Sequence, residues 1–247
     1  MIRALLFDMG GTLDANGVGW LDRFESAYGA AGVALTRATL QAAFDHAERC
    51  AAVDEIIGAA RLDAMVDRHV GWQLEHLACD PAFAEWTEHA GTHAIARLGV
   101  EVVNGFVDPI RRTAARNAGL LADLKLRGFR LGVVSNGCGN VAVLCDDLGY
   151  TPFLSVIVDS RLVGLHKPDP SIYMYAAARL GLPPSAIMMI GDSFERDIRP
   201  AASIGMRTAW LQGDRGLQCP DSSLVDACLR ALSELLRALQ AGVPTVA

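Results

Sequence analysis

Four short segments of this 247-residue sequence carry the residue types that bind a metal ion and a phosphoryl group. The segments are Asp8–Leu13, Ser135–Gly137, Gly164–Pro170 and Gly191–Asp197. Their carboxylates lie in turns rich in oxygen atoms, a setting that suits a hard cation such as Mg²⁺. Their lysine, serine and asparagine are the donors that an anionic phosphoryl group needs nearby. An aspartate beside a divalent ion and a lysine can also be a nucleophile that forms an aspartyl-phosphate.

These segments come at or soon after the ends of short apolar runs, which are typical of strands buried on both faces of a parallel sheet. Five strands are predicted: Arg3–Met9, Phe129–Ser135, Ser155–Asp159, Ala186–Ile190 and Arg207–Leu211. In open α/β sheets, ligands bind at the carboxyl ends of the strands. We therefore expect the polar segments to meet at one edge of the sheet.

Helical patterns alternate with the later strands, as in an open α/β sheet. They are Thr113–Arg127, Asn140–Leu148, Ser171–Leu180 and Glu195–Ile204, followed by a last amphipathic helix at about Ser222–Leu239 and a frayed tail at 242–247. Residues 14–108 break the alternation, because they show helical patterns and no convincing strand. The sequence thus predicts an α/β core of residues 1–13 and 109–247, with an inserted helical subdomain of residues 14–108.

The motifs resemble those of the haloacid dehalogenase-like (HAD) hydrolase superfamily, in its branch with a helical cap after the first strand. They stand in the family's order: Phe7-Asp8-x-x-Gly11-Thr12-Leu13, Val134-Ser135-Asn136, Lys167-Pro168-Asp169-Pro170, and Ile190-Gly191-Asp192-Ser193 with Asp197. The likeness covers nearly the whole core, whereas the cap matches only in position and helical character. It implies an α/β fold with a Rossmann-like open parallel sheet and an inserted all-helical cap.

The resemblance also implies where the nucleophile and the metal ion lie. Asp8 would be the nucleophile that attacks phosphorus. Asp8, the backbone carbonyl of Gly10 and Asp192 would hold Mg²⁺. The cap would close over the substrate and exclude water.

The remaining motif residues are implied to handle the phosphoryl group. Ser135 would donate a hydrogen bond to a phosphoryl oxygen, with Asn136 beside it, and Thr12 would support the turn and the substrate site. Lys167 would neutralise both the nucleophile and the transferring group. Asp197 would orient Lys167 or the water molecules on the metal.

Gly10 departs from the pattern of the family's phosphatases, which carry a second aspartate at this position as general acid and base. A glycine can offer its carbonyl to the metal but cannot move a proton, and acid–base catalysis is typically worth ~10²–10⁴-fold. The loss is serious for alkoxide leaving groups and less so for acyl or aryl phosphates. A cap histidine or Asp14 could replace the acid, and the sequence does not choose between them.

These observations predict a Mg²⁺-dependent phosphatase that acts on a small phosphorylated metabolite through an aspartyl-phosphate. Gly10 supports the alternative of a catalytically weakened family member that binds a phosphometabolite or a protein partner. Haloacid dehalogenation is disfavoured because Gly191-Asp192 is kept. Phosphonate hydrolysis needs a cap lysine, and the only lysines, Lys125 and Lys167, fall in the predicted core.

Composition and charge also limit the kinds of binding partner that we expect. The net charge of −6 and the pI of about 5.5 argue against nucleic-acid binding. No uncharged stretch approaches the ~20 residues of a membrane helix. The six cysteines contain no Cys-x-x-Cys pair, so we expect reduced thiols in a cytoplasmic protein rather than zinc ligands. The five histidines of the predicted cap are expected to be solvated or packed in its core, and neither the substrate nor the oligomeric state is indicated.

Overall fold

The computed structural model of the chain describes residues 1–91 and 93–240. It divides into two compact units, one formed by Met1–Gly19 with the chain from Arg112 onward, the other by Trp20–Arg111. We call them the core unit and the helical unit. The division predicted from the sequence placed its boundaries after residues 13 and 108.

The core unit is built on a six-stranded sheet with the order β3-β2-β1-β4-β5-β6 and parallel pairing throughout. The strands are β1 Ala4–Phe7, β2 Arg130–Ser135, β3 Leu154–Asp159, β4 Ile187–Gly191, β5 Arg207–Leu211 and β6 Ala227–Leu229. The five predicted strands are confirmed to within one or two residues at most ends, and the α/β class with them. From β1 the chain adds β2 and β3 on one side of the sheet and then β4, β5 and β6 on the other side. Open α/β sheets bind ligands where the strand order reverses in this way.

Burial explains why the apolar runs become strands. Every residue of β1 and β4 is buried, and so are the last five residues of β2. On one face of the sheet, the strand residues Leu6, Val158 and Met189 form a buried cluster with Ile172 and Tyr173, both of which are fully buried. Fully burying one such aliphatic side chain contributes roughly 1.5–3 kcal/mol. These contacts make β1 and β4 a rigid frame for the loops that follow them.

In residues 20–91 and 93–111, the helical unit contains four complete α-helices and the first part of a fifth. They are α1 Trp20–Ala30, α2 Arg37–Val53, α3 Leu62–Leu77, α4 Pro81–Ala90 and α5 Ala94–Leu126. Local capping explains two of the starts: Thr36 Oγ1 accepts a hydrogen bond from the Thr39 N–H, and Asp80 accepts from Ala82 and Phe83. Residues 20–91 and 93–111 contain no strand, as the sequence predicts.

Helix α5 differs from its prediction, because it starts 19 residues before the predicted helix Thr113–Arg127 and runs on through Pro109 (113 − 94 = 19). Proline within a helix removes one backbone hydrogen bond. Pro109 lies on an exposed face of α5, where solvent can satisfy the carbonyl left without a partner. The predicted domain boundary at 108/109 therefore falls inside a continuous helix.

Up to residue 240, the core unit adds five shorter α-helices after α5: α6 Val141–Asp147, α7 Ser160–Val163, α8 Ser171–Leu180, α9 Arg199–Ser203 and α10 Leu235–Gln240. Helix α8 has the predicted bounds, and Gly181 ends it in the left-handed conformation (φ 64°) that glycine adopts without strain. No helix among the described residues is long and apolar enough to cross a bilayer.

The predicted helix Ser222–Leu239 is wrong. Residues Ala227–Leu229 instead form β6, which pairs with β5, and only Leu235–Gln240 is α-helical. Asp226 sets this pairing, because its Oδ2 accepts from the Thr208 N–H at 2.8 Å while Oδ1 pairs with Arg207 at 2.5 Å. The open edge of β5 thus overrides the local helical pattern. The predicted frayed tail, 242–247, lies outside the described residues.

Candidate active site

Two neighbouring strands place an acidic cluster at the switch point of the sheet. Asp8 follows β1, and its N–H donates to the carbonyl of Ile190 on β4 at 2.9 Å. Asp192 follows β4, and Asp197 lies in the helical turn Phe194–Ile198 behind it. One carboxylate oxygen from each of Asp8, Asp192 and Asp197 lies within 4.8 Å of the others, and all three residues are buried.

Lys167 supplies the positive charge of this cluster. Its Nζ donates to Asp8 Oδ1 at 2.6 Å and to Asp197 Oδ1 at 2.7 Å, and its side chain is 2% exposed. Burial lowers the pKa of Lys167, but attraction to Asp197 and Asp8 outweighs this effect, so the pKa lies above its ordinary value. The lysine therefore keeps its proton and stays a cation between two carboxylates.

Asn136 positions the main chain of that lysine. Its Nδ2 donates to the Lys167 carbonyl at 3.0 Å, and its Oδ1 accepts from the Lys167 N–H at 2.8 Å. Asn136 thus engages both ends of its amide with the lysine segment, a contact that the sequence did not predict. Ser135, the last residue of β2, is buried at the same sheet edge, so the structure brings Ser135 and Asn136 to the segment that carries Lys167.

Asp8 and Asp192, which follow β1 and β4, both have raised pKa values. Burial raises the pKa of Asp8 to about 6, with attraction to Lys167 opposing and repulsion from Asp197 adding to the shift. Burial raises the pKa of Asp192 to about 7, and repulsion from Asp8 and Asp197 adds to it. A divalent cation at this edge would attract both carboxylates and so lower their pKa values, opposing the effect of burial.

Two buried oxygens at this edge have no hydrogen-bond partner among the described residues: Asp192 Oδ1 and Thr12 Oγ1. An unpartnered, buried carboxylate oxygen is costly unless a ligand takes it up. Oxygen donors are also what Mg²⁺ requires. The donor set of Asp8 and Asp192 therefore fits a hard divalent cation, with Asp197 already engaged by Lys167 and by the Ser193 N–H at 3.1 Å.

The turn Met9–Leu13 shows why two adjacent glycines are not equivalent. Gly11 has φ +89°, and a Cβ there would lie 2.6 Å from Asp192 Oδ2, so only glycine fits beside the cluster. Gly10 has φ −76° and ψ 117°, a conformation that any residue adopts. The missing general acid at Gly10 is therefore not a requirement of the backbone.

Asp14 is held by the same turn. Its Oδ1 accepts from the Gly11 N–H at 2.6 Å, and its side chain is buried. Tyr150 OH and Asn117 Nδ2 both donate to the carbonyl of the preceding residue, Leu13, each at 2.8 Å. Asp14 thus helps to shape the Asp8–Leu13 turn. The sequence analysis considered Asp14 only as a possible proton donor.

Three residues near the cluster were missed by the sequence analysis. Arg215 lies after β5, with its guanidinium 3.8 Å from Asp192 Oδ2 and 3.4 Å from the Asp192 carbonyl. Trp210 Nε1 donates to the same carbonyl at 3.0 Å, and Tyr173 OH donates to the Arg196 carbonyl at 2.5 Å. The rule that sites form at strand ends could have found Arg215, since it follows β5 by four residues.

An open parallel sheet with buried carboxylates and a buried lysine at its switch point is typical of α/β enzymes. The model of the family described as haloacid dehalogenase-like hydrolase matches residues 2–205. The chain belongs to this family and is a hydrolase, as the four sequence motifs indicate.

Individual relatives agree with this assignment. Phosphoserine phosphatase of Thermus thermophilus is 30% identical over 176 residues, which cover 68% of this chain and 69% of that protein. Glyceraldehyde 3-phosphate phosphatase of Methanocaldococcus jannaschii is 30% identical over 117 residues, 47% of this chain and 51% of its own length. The solved L-2-haloacid dehalogenase RSc1362 shares the fold at a TM-score of 0.57 and 22% identity, covering 97% of this chain and 99% of that one. The relatives named as phosphatases support phosphatase activity for this hydrolase.

Proposed function

We propose that this hydrolase is a Mg²⁺-dependent phosphatase that acts on a small phosphorylated metabolite through an aspartyl-phosphate on Asp8. The observation that carries the proposal is the charge arrangement at the sheet edge. Lys167 pairs with Asp8 and Asp197, while a buried oxygen of Asp192 has no partner among the described residues. Such an edge binds a divalent cation first and a phosphate dianion next to it.

Each polar residue has a place in this reaction. Asp8, Asp192 and the backbone carbonyl of Gly10 would hold Mg²⁺, which supplies Lewis-acid stabilisation of the charge on the phosphoryl oxygens. An Oδ of Asp8 attacks phosphorus, the bond from phosphorus to the ester oxygen breaks, and the aspartyl-phosphate forms. Water then hydrolyses the acyl phosphate, which releases inorganic phosphate and restores the Asp8 carboxylate.

The remaining residues bind and orient the phosphoryl group. Lys167 neutralises the transferring group from its fixed position between Asp8 and Asp197. Ser135 donates to a phosphoryl oxygen, and the unpartnered Thr12 hydroxyl is a second candidate donor. Asn136 contributes by holding the Lys167 backbone as well as through its predicted contact with substrate.

Gly10 limits which phosphate esters react fast. Without a carboxylic acid at this position, the leaving oxygen receives no proton from the Met9–Leu13 turn. Acyl and aryl phosphates, whose leaving groups depart as anions, should therefore be the best substrates. The helical unit is proposed as the cap that selects the substrate and excludes water, and the cytoplasm as the location of the enzyme.

Phosphate release from acetyl phosphate and para-nitrophenyl phosphate, measured with Mg²⁺ and after exhaustive chelation, tests this proposal. We expect turnover with Mg²⁺ and its loss on chelation. Full activity without metal would contradict the Mg²⁺-dependent mechanism. Binding of Mg²⁺ and inorganic phosphate without turnover of any ester would instead favour a phosphometabolite-binding protein, the alternative that Gly10 supports.

A further inference from the structure

A second cluster of metal-ligating side chains lies in the helical unit. Helix α2 carries His46 and Cys50 one turn apart, and His76 lies in the last turn of α3. The two helices pack side by side, with Arg68 of α3 paired to Asp54, which follows α2 directly, and His69 of α3 bonded to Glu48 of α2. This packing brings the three residues to one partly buried position.

The distance between two of the ligand atoms matches that of a tetrahedral zinc site. Cys50 Sγ lies 3.6 Å from His46 Nε2. A tetrahedral ion bonded to nitrogen at ~2.05 Å and to sulfur at ~2.3 Å separates these atoms by about 3.5 Å. An i, i+4 pair on one helix can therefore hold the ion without moving the backbone.

His76 provides the third ligand from the facing helix. Its ring stacks on that of His46, with centroids 5.2 Å apart and planes 29° apart. Among the described residues only the acidic cluster brings three ligand atoms within 4.8 Å of one another, so His76 must rotate about its side-chain bonds to complete the set. All three side chains are partly exposed, which leaves room for this rotation and a path for the ion.

We propose that His46, Cys50 and His76 form a binding site for a borderline-soft divalent transition metal ion of the Zn²⁺ type, with water in the fourth position. Thiolate and imidazole are the donors that select zinc over magnesium. The Cys50 thiol, which forms no disulfide, releases its proton to solvent as the sulfur–metal bond forms. The bound ion would join α2 to α3 and so stabilise the helical unit, independently of the phosphatase proposal.

Titration of the chelator-treated full-length protein with Co²⁺ and Zn²⁺, in excess Mg²⁺ that occupies the acidic cluster, tests the site. We expect one equivalent of Co²⁺ to produce a sulfur-to-metal absorption band in the near ultraviolet, which carboxylates cannot give. Zn²⁺ should displace Co²⁺ and raise the melting temperature of the wild-type protein. The band should be lost in Cys50→Ser and kept in Cys228→Ser, the control at an exposed cysteine of β6.

His76→Gln separates the metal site from a simple hydrogen bond between Cys50 and His46. Zn²⁺ affinity should fall more than about tenfold in both Cys50→Ser and His76→Gln, because even outer-sphere partners of metal ligands contribute at least that much. Melting temperatures without metal should match the wild type, which shows that the variants fold. Absence of the band in the wild type, or unchanged Zn²⁺ affinity in either variant, would overturn the proposal.

Discussion

Buried polar groups occur in both units of this chain, but they are balanced in different ways. In the helical unit, His69 is 2% exposed, and its two ring nitrogens bond to Gln73 Nε2 at 2.7 Å and to Glu48 Oε1 at 3.0 Å. Aromatic rings surround it, including Phe24, stacked at 5.2 Å. In the core unit, one buried lysine pairs with Asp8 and Asp197, and Asp192 is the third carboxylate of the cluster.

The difference lies in charge rather than in burial. Each cluster includes a buried oxygen without a partner among the described residues, Gln73 Oε1 in one and Asp192 Oδ1 in the other. An unpaired amide oxygen costs about 1–3 kcal/mol, which a packed aromatic core can offset. An unpaired carboxylate costs far more and shifts its pKa instead. Of these two clusters, only the core cluster therefore calls for a cation, because packing and hydrogen bonds account for the His69 cluster.

The largest expected effect is the loss of turnover in Asp8→Asn. An amide nitrogen is no nucleophile, so the rate should fall by at least about 10⁴-fold while the fold is kept. Because the change removes a buried carboxylate whose pKa is raised, the metal-free variant should be at least as stable as the wild type. Single-turnover kinetics and a thermal melt measure both, with Asp123→Asn, at an exposed acid of α5, as the control. Wild-type turnover in Asp8→Asn would remove Asp8 from the mechanism.

The next effect concerns the proton that Gly10 does not supply. Gly10→Asp should raise the rate on alkyl phosphates relative to acetyl phosphate by up to ~10²-fold, the lower end of what acid catalysis contributes. The φ of −76° allows aspartate at this position. The measured quantity is the ratio of kcat/KM values within one variant, because misfolding lowers all rates together. If wild-type rates do not depend on the leaving group, another residue supplies the proton.

Breaking the His69 cluster tests the helical side of the comparison. His69→Phe should lower the free energy of unfolding by about 1–3 kcal/mol, because it leaves the buried Gln73 amide without its donor–acceptor partner. Adding Gln73→Leu should recover most of that loss, since replacing both partners by apolar groups is nearly neutral. Denaturant melts measure the change. A double variant as unstable as the single one would show that shape, not hydrogen bonding, dominates the cluster.

The pH dependence of stability should distinguish the two units as well. The pKa values of Asp8 and Asp192 are raised to about 6 and about 7 in the folded chain, so the folded state binds more protons than the unfolded state above pH ~4. The metal-free protein should therefore lose stability as the pH rises from about 4 to 7. Mg²⁺ or Asp192→Asn should flatten this slope, because both residues that set it lie in the core unit. Melting temperatures measured from about pH 4 to 7 test this pH dependence.

The smallest expected effect belongs to Arg215, whose side chain is 28% exposed beside Asp192. Arg215→Gln removes a cation next to a proposed metal ligand and should tighten Mg²⁺ binding by up to about fivefold, because partly exposed pairs contribute at most about 1 kcal/mol. Binding of inorganic phosphate in the presence of Mg²⁺ should weaken by a similar factor. Calorimetric titration measures both. If Arg215 had only a structural role, Arg215→Gln would weaken the binding of Mg²⁺ and of inorganic phosphate together.

Local pattern was enough to predict most of the sheet and the residues at its edge. The strands are apolar runs buried on both faces, and α8 combines a helical pattern with a terminal glycine, so each carries its signal within a few residues. The positions of Asp8, Lys167 and Asp192 at one edge follow from the parallel order of those strands. The four motifs could be recognised from the sequence alone, because each of them also lies within a few consecutive residues.

What only the tertiary structure decided depends on residues far apart in the chain. Ala227–Leu229 is a strand because the edge of β5 was open, although its own pattern is helical. Asn136 meets the Lys167 main chain across 31 residues, and His76 stacks on His46 from the facing helix. Such contacts leave no periodic signal, because hydrogen bonds and ring contacts between distant segments depend on packing geometry. The sequence therefore determined which residues could do chemistry, and the fold decided which of them meet.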